Sequence, residues 1–597
     1  MGTAFGTYGG YRGRLYRRVA TRSLHVPMRD GLRLAADVLL PADAPPGATF
    51  PAIVMQTRYW RAADPRLPLP HLRAPKAYQR FFVAHGYALI HADVRGTGAS
   101  FGTWPHPWGA DELADGAALV AWIVAQPWSN GRVGALGTSY DGTTAELLAA
   151  SGHPAVGAVI PCFNEFDVYT DLAFPGGIYH AWFVRTWERY NRRLDAGALP
   201  ADAGLPARLL VRGPKPVDGD RGRRLLRAAL REHAVNGDVE ALARGLTYRD
   251  DADPATGWSL ASSSVHTFRA ALERSGVALF GWGSWLDAGT ADAVLKRFLT
   301  LGNPQRAVIG PWNHGAARHA SPYQPPDAPT DPRPLGRWLE YLRFFDHHLD
   351  GVDNGAGERT LTYYTLGEER WKTTATWPPA GAATERWYLA AGGRLATVAP
   401  DDDAGADRYA IDFAASTGAT NRWHTQVAGG PVAYGDRAAA DRRLLTYTSP
   451  PLDGELELTG HPVVTLYVTS TMPDGAFFVY LEDVDEAGRV VYATEGQLRA
   501  LHRRLSDTPP PYASPVPYRT FARADALPLV PGEVAALTFG LLPLSLLVRR
   551  GHRLRVAIAG HDADTFARLP SAGRPVITVA RNRLQASHID LPVVRAR

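Results

Sequence analysis

The chain has 597 residues, with 64 Lys and Arg against 59 Asp and Glu, 45% hydrophobic and 10% aromatic residues. At roughly 150 residues per domain this length predicts two to four domains with sizeable cores, which excludes a disordered chain and a small scaffold dependent on staples. A net charge of +5 spread over such a length makes no dense positive field, so nucleic acid is not expected as a partner, and a single cysteine, Cys162, excludes an intramolecular disulfide and a thiolate-rich zinc site.

Residues 1–18, rich in Gly, Tyr and Arg, hold no apolar run of the roughly 7 to 15 residues that a secretory signal needs. No stretch of about 18 apolar residues follows anywhere, so the expectation is a cytoplasmic protein with no membrane partner. Segment 23–40 reads as two alternating strands about a turn at Arg29-Asp30-Gly31. Strands are predicted at 52–56, 87–92, 132–136 and 156–162. Between them Leu113, Ala117, Val120, Ala121 and Val124 recur at helical spacing, and Glu146, Leu147 and Leu148 sit in a second short helix. This rhythm is that of an α/β sheet with parallel strands.

The rhythm stops near Asn164, gives way to aromatic-rich stretches and charged helices such as 222–233, and resumes with strands at 277–280 and 306–309. An inserted helical cap, residues 164–265, thus divides one sheet domain into 1–163 and 266–350. From 351 to 597 strand-like runs at 455–469, 476–484, 490–494, 535–540, 554–559 and 575–579 are separated by Gly, Pro and Asp, and 553–558 alternates like a strand with one wet face. The prediction for that segment is an all-β jelly-roll sandwich, and the 59 Gly and 47 Pro suit so many turns.

The segment richest in chemistry is Gly137-Thr138-Ser139-Tyr140-Asp141-Gly142, between an apolar strand and a helix-forming run. A tight strand-to-helix turn projects a serine hydroxyl from the sheet, and the helix N-terminus offers N–H groups to developing negative charge. Gly-x-Ser also occurs at Gly98-Ala99-Ser100 and Gly257-Trp258-Ser259, but neither lies between a strand and a helix. A nucleophilic serine needs a base, and the base needs a carboxylate to hold its tautomer. Strand 277–280 runs into a loop holding Asp287, and strand 306–309 into one holding His314, in the order Ser, acid, His of the α/β-hydrolases. Asp287 also reads as an N-cap for a helix at 290–298.

Five motifs together carry a resemblance: Val26-Pro27-Met28-Arg29-Asp30-Gly31, Asp93-Val94-Arg95-Gly96-Thr97-Gly98, Gly137-Thr138-Ser139-Tyr140-Asp141-Gly142, Trp285-Leu286-Asp287 and Gly310-Pro311-Trp312-Asn313-His314. With them the chain resembles the cocaine esterase-like (CocE/NonD) serine hydrolases, related to the X-prolyl dipeptidyl-peptidases, over almost its whole length. The resemblance implies Ser139 as nucleophile, His314 as base, Asp287 as its orienter, and an oxyanion hole from the Tyr59 hydroxyl and the Tyr140 N–H. It implies hydrolysis of a small-molecule ester or amide through an acyl-enzyme, with no metal or organic cofactor. An X-prolyl dipeptidyl-peptidase or α-amino acid ester hydrolase on the same triad is the alternative. A non-catalytic binding protein is the third reading, disfavoured because the triad residue types stand in order.

Selectivity is expected in segment 163–187, where Phe166, Tyr169, Trp182 and Phe183 either line a pocket for an apolar acyl group or form the core of the cap. Among them Glu165, Asp167 and Asp171 read as solvated surface carboxylates in preference to a grip on a substrate ammonium, and Asp250, Asp251 and Asp253 as caps or links. The sequence leaves open whether the sandwich supplies a homo-oligomer interface.

Overall fold

Runs of Val, Ile, Leu and Ala buried on both faces make the centre of the first domain, as parallel strands covered by helices require. The computed structural model describes residues 4–11, 13–67 and 74–595. Strands β1 (Val19–Pro27), β2 (Arg33–Pro41), β3 (Phe50–Thr57), β4 (Ala63–Pro65) and β5 (Ala88–Asp93) come first. They are followed by β6 (Ser129–Thr138), β7 (Val156–Cys162), β8 (Val211–Pro214), β9 (Ala278–Ser284), β10 (Gln305–Gly310), β11 (Thr360–Thr365) and β12 (Arg370–Thr374). All but β4 and β8 form one ten-stranded sheet in the order β1-β2-β5-β3-β6-β7-β9-β10-β11-β12. Neighbours from β5 to β11 run parallel, while β1, β2 and β12 are antiparallel. The hairpin at Arg29-Asp30-Gly31 joins β1 to β2, with Gly31 at φ 81°.

Two features differ from the sequence reading. The sheet continues past residue 350, because β11 and β12 pair onto β10 and cover what would be an open edge. The insertion between β7 and β9 is not wholly helical: β8 pairs with β4, tying the cap to the loop after β3.

Four helices matter for the site: α1 (Ala110–Val124), α2 (Tyr140–Ala150), α3 (Ala181–Asp195) in the cap, and α4 (Thr290–Thr300) after β9. Glu146 on α2 takes a two-pronged ion pair from Arg297 on α4, at 2.5 and 2.8 Å, and an Asn164 amide at 3.0 Å. These buried contacts fix the element behind Ser139 against the element behind Asp287.

Residues 382–594 supply a second, almost wholly antiparallel set of thirteen strands, an all-β sandwich. The run at 455–469 divides into Leu456–Gly460 and Val463–Ser470, because Pro462 has no N–H for a ladder. Strand Arg553–Ala559 pairs with a strand on each side, and it alternates only as far as Val556, its last residues being buried on both faces. One hydrophobic core runs from Trp285, Val294 and Phe298 to Leu458 and Phe478 of the sandwich, so the sandwich packs directly behind the Asp287 loop and α4. Among the described residues no helix is long and apolar enough to cross a membrane.

Candidate active site

Five consecutive strands of the sheet, β3, β6, β7, β9 and β10, end in loops that carry Tyr59, Ser139, Glu165, Asp287 and His314. Ligands of open α/β sheets gather at these carboxyl ends.

Ser139 joins β6 to α2 at φ 61°, ψ −126°. Such a conformation costs a non-glycine residue on the order of 1–3 kcal/mol. The turn demands its glycines: a Cβ on Gly137 would lie 1.9 Å from the Asp141 carbonyl oxygen, and one on Gly142 2.8 Å from that of Cys162. Gly142 is therefore the point at which α2 passes the end of β7, which accounts for the spacing Gly-x-Ser-Tyr-x-Gly. The Ser139 N–H donates to the Cys162 carbonyl at 2.8 Å. The Tyr140 N–H is the first of α2 and has no acceptor within the helix.

His314 Nδ1 donates to Asp287 Oδ2 at 2.9 Å, which leaves Nε2 uncommitted among the described residues. Its loop packs on the residue before Ser139, since a Cβ on Gly315 would meet Thr138 Cγ2 at 3.7 Å. Asp287 is fully buried and also accepts from the Gln426 amide and the Thr290 hydroxyl, the latter at 3.3 Å. Burial pushes the His314 pKa down, but the charge and hydrogen bond of Asp287, with Glu165 beyond, outweigh it and hold the pKa above the ordinary 6.5. A base must be neutral to take a proton, so kcat/KM is expected to fall as pH drops through this raised value. A pH–rate profile checks it: an acid limb with an apparent pKa above 6.5 is expected, and one well below 6.5 contradicts it.

Tyr59 Oη accepts from Trp187 Nε1 at 2.8 Å, which leaves the Tyr59 proton to donate elsewhere. Burial pushes the phenol pKa up, so the hydroxyl stays protonated. The neighbouring Trp60 is buried and donates to the Leu194 carbonyl, so it is Tyr59 that reaches the cavity. Beneath this loop Asp93 accepts from the Arg61 backbone at 2.5 Å, the Arg61 guanidinium at 2.6 Å and the Ala99 N–H at 2.8 Å. A Cβ on Gly98 would lie 2.3 Å from that carboxylate. The motif Asp93-Val94-Arg95-Gly96-Thr97-Gly98 is thus a brace for the Tyr59 loop.

Tyr59, Ser139 and Tyr140 line a cavity walled by Trp108, Phe183, Trp187 and Trp258, with Glu165 and Gln426 at its polar side. Of the four residues predicted to form the pocket, only Phe183 lines it. Phe166 is buried against the Arg297 guanidinium, Tyr169 stacks on Phe174, and Trp182 stacks on His424 at 3.9 Å. All three are core or interface residues. The carboxylates read as solvated are buried as well: Glu165, Asp167 and Asp171 are 4%, 0% and 2% exposed. Burial pushes the Glu165 carboxyl up to about 7, against the pull of its own backbone N–H and of His314. Asp251 and Asp253 hold their own turns, accepting from Thr247 and Tyr248 and from Thr256.

Sequence reasoning missed the segment at 421–430 of the C-terminal domain. Arg422 donates to the Ala288 carbonyl at 3.1 and 2.7 Å, Thr425 Oγ1 accepts the His314 N–H at 3.1 Å, and Asn313 Nδ2 donates to the Gly429 carbonyl at 2.7 Å. With Gln426 on Asp287, these contacts clamp both loops, and no local motif marks them. Cys162 is buried, and burial pushes its thiol up to about 12, so it is inert. Among the described residues no three His, Cys, Asp or Glu are gathered as metal ligands.

Comparison with known proteins agrees with this architecture. The model of the X-Pro dipeptidyl-peptidase (S15) family matches residues 30–316, and that of the X-Pro dipeptidyl-peptidase C-terminal non-catalytic domain matches 354–590. A Mycobacterium bovis protein named as a serine esterase is 50% identical, over 97% of this chain and 96% of its own. Cocaine esterase of a Rhodococcus species is 26% identical, over 96% of this chain and 98% of its own. The crystal structure of an aminopeptidase from a marine sediment Thaumarchaeota archaeon superposes with a TM-score of 0.71 at 20% identity, covering 99% of each chain.

Proposed function

Since the chain belongs to the X-Pro dipeptidyl-peptidase (S15) family, in its cocaine esterase-like branch of serine hydrolases, we propose that it hydrolyses small carboxylic esters with Ser139 as nucleophile, His314 as base and Asp287 as the group that orients His314. The observation that carries this reading is the 2.9 Å bond between His314 and a fully buried Asp287, on a loop packed against the residue before a strained Ser139.

His314 Nε2 takes the Ser139 proton as the hydroxyl attacks the carbonyl carbon, and Asp287 stabilises the imidazolium that forms. The oxyanion is held by the Tyr140 N–H and the Tyr59 hydroxyl, the latter aimed by Trp187. His314 then protonates the leaving alkoxide, and a water activated by the same imidazole releases the acid from Ser139. The aromatic cavity beside Ser139 takes the apolar part of the substrate, and the sandwich holds the Asp287 and His314 loops in register through residues 421–430.

The test is hydrolysis of p-nitrophenyl butyrate with a pre-steady-state burst of p-nitrophenolate from acyl-enzyme accumulation, with an Ala-Pro anilide as the peptidase control. Faster turnover of the anilide would favour the X-prolyl dipeptidyl-peptidase reading. Tyr59→Phe is expected to lower kcat on p-nitrophenyl butyrate by about 10²- to 10³-fold with little change in KM, the scale on which one oxyanion donor acts. An unchanged kcat would remove Tyr59 from the oxyanion hole.

A further inference from the structure

A second cavity lies where the cap, α4 and the C-terminal domain meet, lined by Pro175 and Gly176 of the cap, Lys296 of α4 and Arg519 of the C-terminal domain. It is distinct from the cavity beside Ser139, although the two share a wall: Val168, Leu172 and Ala173 line the first, Thr170, Pro175 and Gly176 the second. Arg519 is 6% exposed. Among the described residues no carboxylate pairs with it, and its one hydrogen bond runs from Nη2 to the Thr538 carbonyl. Its Nε is buried without an acceptor. A guanidinium brings five N–H donors, so most of this group's capacity is unspent. Burial, with no carboxylate to oppose it, pushes the Arg519 pKa down to about 10, which leaves it cationic at neutral pH.

The other charged groups of this cavity are committed. Lys296 pairs with Asp171 at 2.5 Å and with Asp292 at 2.8 Å, and Asp292, which also lines the cavity, accepts from His461 Nε2 at 2.9 Å. The Tyr512 hydroxyl donates to Asp167 at 2.6 Å. Close by, burial and the charges of Arg499 and Arg519 pull the His502 pKa down to about 3, so the surroundings of Arg519 disfavour a further cation. Gln497 shares the lining with a side-chain oxygen that has no donor, and its amide can turn to present NH₂ to a ligand. A buried cation without a counter-charge is costly, and the cost is offset by an anion that arrives with a ligand. The planar fork of a guanidinium fits the two oxygens of a carboxylate. The rest of the lining, with Val516, Phe521, Phe539 and Leu541, is apolar and suits a hydrocarbon body behind that head.

We propose that this second cavity is a binding site for a carboxylic acid with an apolar body, held at its carboxylate by Arg519 and placed between the cap and the C-terminal domain, apart from the cavity beside Ser139. Acids of this class are what the hydrolysis of small carboxylic esters releases. The site itself does not depend on Ser139 being the nucleophile.

Titration calorimetry of the full chain with 4-bromophenylacetate, with its neutral amide 4-bromophenylacetamide and with inorganic phosphate tests the site in the wild type, Arg519→Met and Arg519→Lys. The acid is expected to bind the wild type more tightly than either the amide, which lacks the charge, or phosphate, which lacks the apolar body. Arg519→Met is expected to weaken the acid by about 30-fold and to leave the amide unchanged, the scale on which hydrogen bonds to a charged group act. Arg519→Lys, which keeps the charge without the fork, should fall between. Crystals of the wild type soaked with the acid need no variant: the anomalous signal of bromine is expected in the second cavity, with the carboxylate on Arg519. Equal affinity for acid and amide, an affinity for the acid that Arg519→Met leaves unchanged, or bromine found only beside Ser139 would overturn the site. Phosphate bound more tightly than the acid would overturn the choice of ligand.

Discussion

Ser139→Ala is expected to lower kcat/KM on p-nitrophenyl butyrate by about 10⁶-fold, the scale on which a triad loses rate with its nucleophile. Stability should not fall, because the Ser139 side chain makes no hydrogen bond among those observed and alanine adopts the same strained φ at similar cost. Thermal unfolding of the variant beside its kinetics separates the two effects. The loss is expected in kcat, since the cavity walls and Tyr59 still bind the ester. A variant that kept more than a few per cent of the activity would show that the chemistry lies elsewhere.

Asp287→Asn is expected to cost about 10⁴-fold in kcat, through the tautomer of His314 rather than through its position. With a carboxylate at 287, Nδ1 carries the proton and Nε2 is the base. Asparagine can turn its amide N–H toward Nδ1, which places the imidazole proton on Nε2, where the serine hydroxyl needs an acceptor. The Gln426 amide, which now donates to Asp287, sharpens this preference, because it keeps an acceptor oxygen on its own side and turns the asparagine NH₂ toward His314. The activity that remains should rise with pH above the range in which the wild type is constant, as hydroxide replaces the missing base. Wild-type turnover in this variant would show that Asp287 only braces Thr290, the first residue of α4, from whose hydroxyl it accepts.

The central strands were legible because burial on both faces leaves a mark in sequence: β5, β7 and β9 are short runs of apolar residues bounded by turns. The loops after them were legible for the same reason, since a strand that ends in Gly-x-Ser or Trp-Asn-His offers few positions for chemistry. Faces of the cap were not legible. Phe183 and Trp187 lie four residues apart on α3 and share the face toward the cavity, whereas Trp182, one residue away, is turned to His424 of the sandwich. Nothing in the aromatic content distinguishes the two faces. Buried charge was equally hidden, because Asp167 and Asp171 find their cations 82 and 125 residues further on, at Arg249 and Lys296. The clamp at 421–430 reaches Asp287 and His314 across more than a hundred residues, and sequence pattern reports only what is near in the chain.

In the proposed reaction Ser139 Oγ carries the acyl group of the covalent intermediate. Treatment with a p-nitrophenyl alkylphosphonate, followed by mass analysis of the intact chain and of its peptides, tests it most directly. One phosphonyl group per inactivated chain is expected, on the peptide that contains Ser139, and none on His314→Ala under the same exposure. Inactivation with Ser139 unmodified, or a label at Ser100 or Ser259 instead, would contradict it.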